Sequence, residues 1–162
     1  MSEFSALQVV NWFRAQNVAD MKTDEMVEPL TQMKAMKLLY YAQGIMLAAY
    51  DRKLFSENIL AWKYGPVVDT VHRHYIGQRS ITSLDEDSKK MLSPEEIRDF
   101  EIVNSDSDAN LVLTTVCEEY GDKSAIELMN MTHEELPWQS TTQSEIIETD
   151  LIKKYFKENI LA

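Results

Sequence analysis

The chain has 162 residues, 44% of them apolar, which suits one ordinary domain that buries roughly 70% of the surface its unfolded form exposes. A single cysteine, Cys117, excludes an internal disulfide framework and a paired-cysteine metal motif, and it fits a reducing compartment. The formal charge of -11 disfavours nucleic acid as a partner, because an acidic surface repels the phosphate backbone.

The opening MSEFSALQVV lacks the basic segment of a secretory signal, and its apolar run is broken at Gln8 and Asn11. Ala6, Val9, Val10 and Phe13 stand at i, i+3, i+4, i+7 and predict a first amphipathic helix, followed by a loop through about Pro29. The strongest helical pattern runs from Thr31 to Asp51, where Leu38, Tyr41, Ala42, Ile45, Met46 and Ala49 form one stripe and Leu39, Tyr40, Leu47 and Ala48 flank it. A helix apolar nearly all round belongs at the centre of a core. Within it, Met36–Tyr50 contains Lys37 and Gln43 and falls short of the roughly 20 apolar residues that span a bilayer, so no membrane segment is expected. Gly44 in a helix interior costs about 1 kcal/mol relative to alanine and predicts the close approach of another element.

Between Lys53 and Tyr64, short apolar runs separated by Ser56-Glu57-Asn58 predict a small β-hairpin near residues 53–64. Gly65-Pro66 then reads as a turn into a helix with Pro66 in its first position, and Val68, Val71, His72 and Tyr75 continue one face. Thr82–Lys90 is polar and predicts a surface loop. Ser93-Pro94-Glu95-Glu96 and Ser124-x-x-Glu127 are capping boxes that start two helices. Leu113, Val116, Cys117 and Tyr120 form a stripe that ends at Gly121, and Ala125, Leu128 and Met129 form the next. Ile152, Tyr155 and Phe156 face inward from a last helix over about 144–160. With 4 Gly, 4 Pro and no repeat, no domain boundary is visible. The expected fold is mainly α, a single compact helical domain over 1–162 with about six to seven helices and the small hairpin. Charge is uneven along it: residues 1–84 hold 9 bases and 8 acids, net +1, whereas 85–162 hold 7 bases and 19 acids, net -12.

No catalytic or metal constellation emerges. On a helix His72 and His74 point roughly 200° apart, which separates them as zinc ligands. The plainer readings are a hydrogen-bonded helix histidine for His72 and an exposed one for His74. Cys117 lies on an apolar stripe and reads as a small core residue rather than a nucleophile. Glu118-Glu119 and Glu134-Glu135 are adjacent, which does not place two acids across a substrate. Nucleotide-binding glycine loops, the serine elbow and the paired-histidine zinc motif are absent from the sequence.

Three segments mix aromatic, Gly/Pro and charged residues in an order that helical periodicity does not demand. They are Lys37-Leu38-Leu39-Tyr40-Tyr41-Ala42-Gln43-Gly44, Ala61-Trp62-Lys63-Tyr64-Gly65-Pro66-Val67, and Leu128-x-x-Met131-Thr132-His133-Glu134-Glu135-Leu136-Pro137-Trp138. In this order and spacing, with Glu119-Tyr120-Gly121-Asp122 leading into the third, they resemble the Panacea domain of SocA-like antitoxins and phage-associated GepA-type proteins, over about residues 33–156. The resemblance leaves residues 1–27, an N-terminal helix and loop, and the acidic variable tract 85–110 without a family motif.

That resemblance implies a helical protein without cofactor that neutralises a toxin encoded beside it by direct contact, and in the SocA case hands the toxin to a protease. A cytoplasmic antitoxin-like protein, not an enzyme, is therefore expected, with a cognate and basic toxin as partner and neither nucleic acid nor membrane. A phage structural or morphogenetic protein, or a hydrolase using His133 with Glu134 or Cys117, are the alternatives. Two readings stand for the motif residues Trp62, Lys63, Tyr64, Gly65, Pro66, His133, Glu134, Pro137 and Trp138: they contact the partner, or they are structural, since indole and phenol groups also serve cores.

Overall fold

The structure, a computed structural model, describes residues 3–161. Helix α1 (Ala6–Thr23) starts at Ser5, whose hydroxyl accepts from the Gln8 amide while the Gln8 side chain accepts from the Ser5 amide. Gln8, which in the sequence merely interrupts an apolar run, thus completes a capping box. The face of Ala6, Val9, Val10 and Phe13 is buried as expected.

Helix α2 (Gln32–Tyr50) is buried from Ala35 to Ala48 and forms the axis of the molecule. Two short strands follow, β1 (Leu60–Trp62) and β2 (Gly65–Val67), and then helices α3 (Asp69–His74), α4 (Pro94–Asn104), α5 (Ser107–Tyr120), α6 (Ala125–His133), α7 (Leu136–Gln139) and α8 (Thr149–Asn159). Helices α5, α6 and α8 pack on α2, while α4 packs on α1, and one contiguous core joins them. The mainly helical class with a small sheet holds, with eight helices among the described residues rather than six to seven. The four-residue α7 is the addition: Pro137 takes its second position, where a missing amide donor costs nothing, so the proline opens a turn of helix as well as following one.

The hairpin lies later than 53–64. Its register pairs Leu60 with Val67, Ala61 with Pro66 and Trp62 with Gly65, so Gly65-Pro66 belongs to a strand and the helix begins only at Asp69. Proline is tolerated there because the Ala61 amide donates away from it, to the Glu145 carbonyl, and the Ala61 carbonyl accepts from Ser144. Ala61 and Pro66 thus form a pair that needs no bond between them. The last helix is shorter than 144–160 for the same reason: after a turn at Ser144 (φ +74) the chain lies beside β1, where Ile146 bridges to Leu60 and Ile147 donates to the Ile59 carbonyl. The segment before β1 is held by Gln43, whose amide accepts from Leu54 and donates to the Phe55 carbonyl.

Gly44 meets the close approach its place in a helix predicts. The Phe156 ring of α8 lies so near that a Cβ at Gly44 would collide with three of its carbons. Gly44→Leu should therefore destabilise the protein by about 3 kcal/mol, lowering the melting temperature by roughly 6–12 °C. An unchanged transition in a thermal melt would show that α8 does not sit there.

The polar loop and acidic tract are less peripheral than their composition suggests. Thr82 is buried, its hydroxyl accepting from the Leu30 amide and donating to Asn17, although Asp85–Asp87 are exposed. Of the nine acids in 85–110, four are tied to the N-terminal half: Glu96 to Arg14 at 2.8 Å, Asp99 to Asn11 at 2.9 Å, and Asp106 and Asp108 to Arg52 at 3.0 and 3.5 Å. The tract is thus tied to the N-terminal half, through Arg14 and Asn11 of α1 and through Arg52.

Candidate functional site

The three motif segments, far apart in sequence, come together on one side of α2. The hairpin turn Lys63-Tyr64 is closed by Gly65 at φ +107, a backbone conformation that side chains rarely adopt. A Cβ on Gly65 would also lie 2.9 Å from both Lys37 Cε and Thr132 Oγ1, so glycine lets the first and third segments touch across the second. Lys37 is buried and donates from Nζ to the Pro66 carbonyl at 3.3 Å. The Trp138 indole donates to the Trp62 carbonyl at 2.8 Å, its ring stacks on His133 at 4.1 Å, and Trp62 meets the His72 ring edge-on.

Beneath this seam lies a feature the sequence reading passed over. Glu135 is only 6% exposed, and its two carboxylate oxygens accept from the Tyr40 hydroxyl at 2.9 Å and the Tyr41 hydroxyl at 2.8 Å. Burial holds its carboxyl above the ordinary value, and the two hydroxyl donors pull in the opposite direction. Burial and the nearby Glu135 likewise raise both tyrosines. The adjacent Glu134 behaves differently: it caps the C-terminus of α6 and is exposed, whereas Glu135 turns to extended backbone before α7 and enters the core.

The predicted site residues therefore divide. Gly65, Pro66 and Pro137 are buried, Trp62, His133 and Trp138 are half-buried and joined to one another, and Lys63, Tyr64 and Glu134 are exposed. Tyr64, 55% exposed at the tip of the hairpin, has the Lys63 ammonium over its ring at 5.5 Å. His133 Nε2 is buried with no hydrogen-bond partner among the described residues.

His133 makes no hydrogen bond to Glu134, and burial, reinforced by Asp20, pushes the Cys117 thiol up to about 12, the reverse of nucleophile activation. His72 bonds through Nδ1 to Gln32 at 3.0 Å and His74 is exposed. Among the described residues no three of His, Cys, Asp and Glu gather as metal ligands, and no helix is long and apolar enough to cross a membrane.

Lys37 offers a test of the seam. Burial pulls its amine down to about 8, against about 10.4 in an unfolded chain. Between those values the unfolded state binds more protons, so this group's contribution to stability rises with pH across the window and is lost as pH falls through 8. Cys117, Tyr40 and Tyr41 act oppositely at alkaline pH, so the readout is the difference between the protein and Lys37→Met. Lys37→Met should gain stability relative to the parent at pH 7, and that advantage should shrink by up to about 3 kcal/mol by pH 10 in urea titrations. A pH-independent difference would mean that the amine is solvated.

A family model described as antitoxin SocA-like, Panacea domain, matches residues 36–139, well over half of the chain. The match takes in all three motif segments and leaves α1 and α8 outside it. No curated protein and no solved structure matches the chain.

Proposed function

We propose that this chain, which belongs to the SocA-like antitoxin, Panacea-domain family, neutralises a toxic protein encoded beside it by binding that protein directly. The observation that carries the reading is the family match over the three motifs, and the geometry supports it. The motif residues are largely occupied with one another, which makes them a scaffold for a surface whose free aromatic is Tyr64. The acids left untied in the tract, Asp85, Glu86, Asp87, Glu95 and Glu101, are exposed and give a basic toxin a field that speeds encounter, screened over about 8 Å at physiological salt. Delivery of the bound toxin to a protease is the finer form of this activity.

Co-expression with the adjacent gene, followed by binding kinetics on the purified proteins, tests the reading. Rescue of growth and a stable complex are expected. Tyr64→Ala should leave the melting temperature unchanged and speed dissociation, whereas Trp138→Ala should cost about 2 kcal/mol or more of stability through its lost packing and indole bond. Absence of both rescue and complex would remove the antitoxin reading. Rescue that disappears in a host lacking its ATP-dependent proteases would select delivery over blocking.

A further inference from the structure

On the other side of α2 an open groove of about 720 Å³ runs between the end of α1 with the loop after it and the α5–α6 turn. Phe13, Leu38 and Cys117 contribute apolar surface to it. Two large apolar side chains stand at its lining fully or mostly in solvent, Met26 at 86% and Ile126 at 63% exposure, one from each wall. Exposed apolar side chains lining one concave surface mark an interaction site more often than scattered ones do.

The charge of the lining says what kind of occupant fits. Asp20, Asp24 and Glu28 come from the first wall and Asp122 and Glu127 from the second, against three bases, Lys34, Arg79 and Lys123. Of the bases, Lys34 is engaged internally, its ammonium donating to the Gly121 carbonyl at 2.6 Å. None of the five carboxylates has an ion-pair partner among the described residues. A second copy of a chain with net charge -11 would be repelled from such a groove, and a nucleic acid still more so.

We infer that this groove is the seat of a basic amphipathic segment of the partner protein, its apolar side chains between Met26 and Ile126 and its cations reaching Glu28 and Asp122. The inference rests on the proposed antitoxin reading and adds to the surface at Tyr64 a second docking surface, away from the hairpin tip. Apolar anchors in such a seat govern dissociation, and the flanking carboxylates govern association.

The test uses the full-length chain and the purified protein encoded by the adjacent gene, with kinetics at low and high salt. Glu28→Lys with Asp122→Lys should slow association about tenfold at low salt, and the difference should vanish at high salt. Ile126→Ser, at a site open enough to leave folding intact, should speed dissociation about tenfold with little change in association. Glu145→Lys with Glu158→Lys makes the same change of net charge at exposed positions outside both the groove and the acidic tract and should have a much smaller effect. If the parent protein binds and the groove variants bind as it does, the groove is wrong and the antitoxin reading survives. If the parent binds nothing encoded beside it, both fall. A circular dichroism spectrum and melting temperature equal to the parent's are required of each variant, and Met26→Ser replaces any that fails.

Discussion

Arg14→Met should cost about 3–5 kcal/mol, a fall of roughly 10 °C or more in melting temperature. The side chain is 2% exposed, and its fork is occupied throughout: Nε donates to the Ile81 carbonyl at 2.9 Å, one terminal nitrogen to Asn11 and Glu96 at 2.8 Å each, and the other to the Lys90 carbonyl at 2.8 Å. Methionine fills the volume but leaves two loop carbonyls and a carboxylate without their donor, and each buried unpaired polar group costs about 1–3 kcal/mol. Glu96 is the least affected partner, since at 26% exposure it can turn to water. The loss should therefore fall on residues 81–91. Hydrogen exchange there should accelerate in the variant more than exchange in α2 does. Lysine, a single donor point, should rescue little of the loss. An Arg14→Met protein with parental stability would mean that the loop is not anchored on α1.

Arg14 also shows where the sequence stops being legible. Its spacing on α1 marks it as an ordinary helix base, because nothing local distinguishes a solvated arginine from one whose partners, Asn11 apart, stand 67 to 82 residues away. The features that were readable are those fixed by nearest neighbours. The serine capping boxes at Ser93 and Ser124 form as their spacing demands, and the all-round apolarity of residues 35–48 can be satisfied only at the centre of a core. Gly44 was legible for a related reason, since a glycine that a helix tolerates at a cost implies a neighbour that needs the space. Pro66 was misread because its chemistry suits both a helix start and an unbonded strand position, and residues 144–147 decide between them from across the chain. The site followed the same division. Its motif segments were visible, but Glu134 and Glu135 are indistinguishable until the chain turns inward between α6 and α7.

Glu135→Ala should be as damaging as the loss of Arg14, at about 4 kcal/mol, because it removes the shared acceptor of two buried tyrosine hydroxyls and opens a cavity beside α2. Glu135→Gln separates hydrogen bonding from charge. Its amide oxygen can accept from one tyrosine while the other hydroxyl rotates to accept from the amide nitrogen, so the network survives without an anion. Glutamine should consequently cost less than alanine by several kcal/mol at pH 7. It should also remove a pH dependence. Because burial raises the Glu135 carboxyl in the folded state, the folded protein holds its proton to higher pH than the unfolded chain does. Stability from this group is therefore full below the ordinary glutamate range and falls as pH rises through the raised value. Urea titrations from pH 4 upward should show that fall in the parent and its absence in Glu135→Gln. The tyrosines supply the internal check, since each hydroxyl favours the carboxylate over the acid. Tyr40→Phe or Tyr41→Phe should move the fall to higher pH, and the double variant should move it further. If either phenylalanine variant shifted the transition downward, the hydroxyls could not be donating to Glu135, and the seam beneath the three motifs would have to be redrawn.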